Sequence, residues 1–191
     1  MSPNKLENAI KHVEALAKTE AEAIGFLPRA AYHDAAATGR LYIAHAADDV
    51  WGFAVVGARK KHRRIYQACV REDVRREHIA TMAINHLLHG DSEAGVLSHV
   101  AHVAEDLDAV LFWQQLGFRV LGELDRANTR GRRILCLVRP TPAASELKQW
   151  YDAHPDLDAK RHLAVMAGMA DAFDDHQYNR WLAQRNAKPQ N

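Results

Sequence analysis

Cysteine is scarce, two residues in 191, and neither Cys69 nor Cys136 has a C-x-x-C partner. That excludes a disulfide framework and a cysteine-rich metal site, and leaves two reduced thiols inside apolar runs. Charge of one sign is missing too: 25 Lys and Arg against 24 Asp and Glu leave a formal net charge of +1. No overall field pulls the chain toward nucleic acid or membrane, so any electrostatic argument rests on local clusters. No run approaches the ~20 uninterrupted apolar residues of a membrane helix, and residues 1–18 lack the apolar core of a signal peptide. The expectation is a soluble, cytoplasmic protein without membrane contact. The twelve histidines do not spell a metal site: His86 and His89 are three apart on a helix with no third ligand nearby, and His99 and His102 fall on opposite faces of a strand.

What is present is apolar periodicity. Hydrophobic residues make up 48% of the chain, and at this length folding removes roughly 70% of the unfolded surface, enough for a stable core. Asn4 and Glu7 form a capping-box pattern ahead of Leu6, Ala9, Ile10, Val13, Leu16 and Ala17 at helical spacing. Pro28 suits the first turn of a second helix over 29–38, with Gly39 as its C-terminal cap. Leu41–His45 and Trp51–Ala58 read as a hairpin and Arg64–Val70 as a third strand. A helix follows with Ala80, Ile84, Leu87 and Leu88 on one face, ended by Gly90. Gly95–Val103, a helix over Asp106–Leu116, a strand from Gly117 to Glu123 and a last strand over Ile134–Arg139 complete the order ααβββαβαββ. This is an α/β (α+β) chain. The alternation implies a mixed, mostly antiparallel sheet with one central parallel pair, Tyr66–Val70 beside Gly95–Val103, and helices on its faces. Pro140-Thr141-Pro142 punctuates the chain, giving a domain over 1–140 and a helical C-terminal extension over 141–191 that serves as an annex or as a homodimer surface.

The segment from Ile65 to Ala80, IYQACVREDVRREHIA, resembles the acyl-CoA-binding unit of the GNAT superfamily of N-acetyltransferases. A loop feeding a helix N-terminus presents N–H groups with no intrahelical partner, where a pyrophosphate is well accommodated. The family pattern is Gln or Arg, two variable positions, Gly, one variable, then Gly or Ala. Arg75 and Ala80 match its ends, and His78 stands where the family has glycine. Ala109 to Phe118, AVLFWQQLGF, is similar to the family's helix-to-strand segment, with Trp113 where a tyrosine often acts as general acid. The resemblance covers roughly 5–139. It implies acetyl-CoA as co-substrate, bound by Cys69, Val70, Arg75, Arg76, Glu77, His78, Ile79, Ala80 and Trp113, with no metal. It implies direct attack by an amine acceptor, the Val70 N–H as oxyanion donor, and a base in Glu105, or in Tyr66 and Gln67 ordering a water.

Two basic clusters remain, residues 59–64 and Arg126, Arg130, Arg132 and Arg133 before the last strand. In the family the last hairpin borders the acceptor, so Arg130, Arg132 and Arg133 are substrate-binding candidates for an acidic or phosphate-bearing acceptor, nucleic acid included. Two alternatives therefore stand beside an N-acetyltransferase: a nucleic-acid-directed modification enzyme on the same fold, and a non-catalytic binding or assembly module.

Overall fold

The computed structural model describes residues 3–47, 49–59, 61–124, 131–153 and 175–187. Arg126, Arg130 and the apolar stretch 156–170 lie outside them. Three helices come first, α1 (Pro3–Thr19), the single turn α2 (Ala21–Ile24) and α3 (Arg29–Ala37). Gly39 caps α3 as expected: its φ is +65°, and the Gly39 and Arg40 N–H groups donate to Ala36 and Ala35, the two bonds of a Schellman motif. Strands β1 (Leu41–Ala46), β2 (Asp49–Val56) and β3 (His62–Val70) follow, then α4 (Ile79–Glu93), β4 (Ser98–Ala104), α5 (Ala109–Gln115), β5 (Arg119–Glu123), β6 (Ile134–Pro140), α6 (Pro142–Asp152) and α7 (Asp175–Asn186).

The six strands form one sheet in the order β1-β2-β3-β4-β6-β5, antiparallel except for β3 against β4. The helical crossover α4 makes that parallel pair possible. Strand alternation sorts the side chains: Ala54 and Val56 face α4 and α5 with Ile84, Leu87, Trp113 and Phe118, while Phe53 and Val55 face α1 and α3 with Val13, Tyr32 and Ala35. The α1–α3 layer packs on β1, β2 and the end of β3. A third cluster packs Leu147 of α6 and Trp181 of α7 on Leu97, and Arg185 of α7 donates to the Ser92 and Glu93 carbonyls at the end of α4.

Two expectations change. Helix α4 runs through Gly90 to Glu93, because the left-handed residue that ends it is Gly95 (φ +83°); its N–H and that of Val96 donate to Ser92 and Asp91. The extra turn keeps Asp91 helical and fully buried. The parallel ladder also joins the first halves of its strands, from His62↔Ser98 to Ile65↔Ala101, and not Tyr66–Val70 as the apolar run suggested. Among the described residues no helix is long and apolar enough to cross a membrane.

Candidate active site

A β-bulge opens the sheet. In the β2–β3 ladder Val56 pairs with Ile65 and Val55 with Gln67, so Tyr66 is the extra residue. A bulge bends its strand and interrupts pairing, and it lies one residue past the last parallel pair, Ile65↔Ala101. Beyond that pair β3 and β4 part. Tyr66 and His102 are the first residues on the two lips of the cleft.

The Val70 N–H points into this opening. The Arg71 N–H donates to the Trp51 carbonyl at 2.8 Å, which makes 51/71 a hydrogen-bonded pair. Gly52↔Val70 is then a non-hydrogen-bonded pair, whose N–H and C=O groups point away from the neighbouring strand. On that side the Val70 carbonyl accepts from Arg75 Nε at 3.1 Å.

The loop from Arg71 to His78 links the cleft to α4. Arg71 fixes its start by pairing with both Asp49 and Asp73 and donating to the Val50 carbonyl. Sequence reading missed this anchor, which is visible only once β2 places Asp49 beside β3. Arg75 also pairs with Glu20 at the end of the helical layer. Arg76 is exposed, and its guanidinium makes no ion pair among the described residues. Both Arg76 (φ +74°) and His78 (φ +59°) are left-handed. His78, where the family pattern has glycine, therefore adopts the backbone that a glycine supplies without strain. It is the N-cap residue of α4, exposed and without a side-chain capping bond. The first intrahelical bond runs from Met82 N–H to the His78 carbonyl, so the Ile79, Ala80 and Thr81 N–H groups have no partner within the helix. Three donors, the helix dipole and Arg76 together fit a pyrophosphate, and no side chain of the loop is buried across them. Glu77 is exposed, Ile79 buried and Ala80 half-buried.

The lips carry the titratable groups. Arg64 lies over the Tyr66 ring, 5.1 Å from its centroid. Burial, and secondarily the charge of Arg64, lower the His102 pKa below its ordinary 6.5, leaving a neutral imidazole at neutral pH on the β4 lip. Sequence reading used His102 only to argue against a metal; its place at the ladder's end becomes readable only with the register. Glu105, just past β4, pairs with Arg133 at 2.9 Å. Burial, with a smaller contribution from Glu20, pushes the Cys69 thiol up to about 12. It is thus protonated and unreactive at neutral pH. Trp113 is only 6% exposed, in edge contact with Phe112 and Phe118 at 5.2 and 4.9 Å, inside the core over β4.

Several cations of the basic clusters are paired among the described residues. Arg132 makes a bidentate contact with Asp106 and donates to the Glu22 carbonyl, while Arg133 pairs with Glu105 and Glu123. In the other cluster Arg63 is buried and shares Asp91 with Arg59. The Gln67 amide donates to the Gly25 carbonyl and accepts from the Tyr32 hydroxyl, both at 2.9 Å, tying the loop before α3 to the bulged strand.

Residues 8–118 match the model of the acetyltransferase (GNAT) family. Among solved structures, Ard1 from Thermoplasma volcanium aligns with a TM-score of 0.64 at 22% identity, covering 74% of this chain and 94% of that one. The ribosomal-protein-S18-alanine N-acetyltransferase of Escherichia coli gives 0.55 at 17% identity, with 73% and 90% covered. An aminoglycoside 6'-N-acetyltransferase complexed with coenzyme A gives 0.56 at 12%, with 73% and 92% covered. At these identities the likenesses show a shared fold. No curated protein sequence matches the chain significantly.

Proposed function

Because the chain belongs to the GNAT acetyltransferase family, we propose that it transfers the acetyl group of acetyl-CoA to an amine acceptor by direct attack. The observation that carries this reading is the cleft that opens past Ile65↔Ala101 beside a helix N-terminus with unpaired N–H groups. Bound acetyl-CoA supplies the thioester. Ile79, Ala80 and Thr81 N–H groups and Arg76 hold its pyrophosphate, Arg75 fixes the loop, and Val70 N–H donates to the carbonyl oxygen as charge builds there.

His102 is the base we assign, ahead of Glu105. It lines the cleft in its neutral form, whereas the Glu105 carboxylate is engaged by Arg133. It takes the proton that the attacking nitrogen sheds as the new amide bond forms. The coenzyme A sulfur leaves with the electrons of the broken C–S bond and is protonated, so one amine and one thioester give one amide and one thiol. Tyr66, beside Arg64 on the other lip, is placed to order the acceptor or a water. Cys69, a protonated thiol, does not serve as an acyl carrier.

The paired states of Arg132 and Arg133 weaken the case for an acidic acceptor or for nucleic acid and favour a neutral or cationic amine. The peptide and small-molecule acceptors of the structural neighbours define the first acceptor set. The test is calorimetry with acetyl-CoA and free coenzyme A, followed by thiol release against peptide α-amines and aminoglycosides. Saturable binding with amine-dependent thiol release is expected; absence of coenzyme A binding overturns the reading.

A further inference from the structure

A cavity of about 530 Å³ lies between α4 and strands β1, β2 and the end of β3. Tyr66 and His102, the lips of the cleft between β3 and β4, do not line it; it adjoins the transfer site through Cys69, Val70, Ile79 and Ala80. Its origin can be read in the register. Tyr42, Ala54 and Ala68 pair in one row across β1, β2 and β3, and Ala44, Gly52 and Val70 in the next. All six share the face that looks toward α4, and four of them are alanine or glycine. Helix α4 answers with Ala80 and Ala83. Interiors are ordinarily filled to crystal-like density by large side chains, and here six small residues face one another across the gap: Ala44, Gly52, Ala54, Ala68, Ala80 and Ala83.

The walls say what fits. None of the described residues lining the cavity carries a carboxylate, ammonium or guanidinium group, in a chain that is 26% charged. Trp51 and Tyr42 are among the residues that line it, and Met82, His45 and His86, also lining it, are exposed. The Trp51 indole N–H is committed to Asp49 at 3.1 Å. The volume falls in the range of small-molecule sites, ~300–1,000 Å³. The phosphates of an acyl-CoA would find no cation here.

We infer that this cavity is a second binding site, for a small, uncharged and mostly apolar ligand. Its floor and roof include Val70, Ile79 and Ala80, so its occupant touches the strand end and helix start that form the transfer site.

The probe is N-phenyl-1-naphthylamine, a neutral, flat fluorophore that accepts energy from tryptophan. One molecule is expected to bind saturably per chain, with energy transfer from tryptophan. The double substitution Ala44→Leu with Ala83→Leu fills the space and is expected to weaken binding about tenfold or more, with a thermal transition no lower than that of the wild type. Should the double variant fail to fold, Ala83→Leu alone, at a half-buried helical position, carries the test. The inference is overturned if the probe does not saturate, if binding survives the filling substitutions, or if sedimentation shows a dimer that those substitutions dissolve. In the last case a second copy of the chain fills the cavity.

Discussion

The two ends of the β3–β4 pair are built from the same strands and behave as opposites. At the closed end Arg63, Asp91 and His99 are all but fully buried. His99 Nε2 and Asp91 lie 2.7 Å apart, Arg63 donates to Asp91 and, at 2.9 Å, to the Gly57 carbonyl, and the parallel ladder is intact. At the open end a bulge, two left-handed non-glycine residues and unpaired N–H groups replace ladder hydrogen bonds. The contrast teaches that a cleft inside a sheet is held open from its far end: paired buried charges lock the strands where they meet, and strain is tolerated where they part.

Breaking the lock should have the largest effect. Asp91→Ala leaves Arg63 buried without its carboxylate, which costs about 3–5 kcal/mol, read as a shift of the urea midpoint. Burial alone would raise the Asp91 pKa, but hydrogen bonds from His99 and Arg63 outweigh it and hold the carboxyl at about 2, below its ordinary 3.8. This group's contribution is therefore complete above the ordinary value and is lost as pH falls through about 2. An acid titration of Asp91→Asn, flatter than that of the wild type over this window, would confirm the assignment.

At the open end His102→Gln should lower kcat about a hundredfold, the low end for a general base. The wild-type rate should fall off only below the ordinary histidine pKa of 6.5, because burial and Arg64 both favour the neutral ring. That acid limb should vanish in His102→Gln and persist in Glu105→Gln. The reverse result would return the base to Glu105.

Smaller is the effect on coenzyme A affinity. Arg76→Ala should raise the Kd about tenfold by removing a charge-assisted contact, and with it part of the salt dependence of binding. Arg75→Ala should also weaken binding, by releasing the loop. Because Arg75 is held by Glu20, Glu20→Gln should reproduce much of the Arg75 effect and none of the Arg76 effect, which calorimetry can separate.

Much of the fold was legible because it is written in short-range periodicity. The helices over 3–19 and 29–37, the hairpin and the crossover all follow from apolar spacing and turn residues. The end of α4 was misplaced because glycine is tolerated inside a helix, and only the left-handed Gly95 marks the true cap. The cleft was harder. Tyr66 was legible as a residue near the site, but a bulge is a relation between two strands, and nothing in Ile65-Tyr66-Gln67 taken alone announces that Val55 and Val56 will skip one partner. The charge state of the basic runs was illegible for the same reason: Asp91, Asp106 and Glu123 come from elsewhere in the chain, and only tertiary structure brings them against Arg63, Arg132 and Arg133.

The smallest effect tests whether the open end carries strain at all. His78 holds φ at +59°, a region that costs a non-glycine residue roughly 1–2 kcal/mol. Histidine is among the side chains that tolerate it best. His78→Gly removes this strain but adds unfolded-state entropy, so a net gain of about 1 kcal/mol is expected, read in the thermal midpoint. If the imidazole merely occupies a glycine's place, coenzyme A affinity should hold or rise with stability. A variant that gains stability and loses affinity would instead show that the ring donates to the phosphates, and that the strain at this residue is maintained for binding.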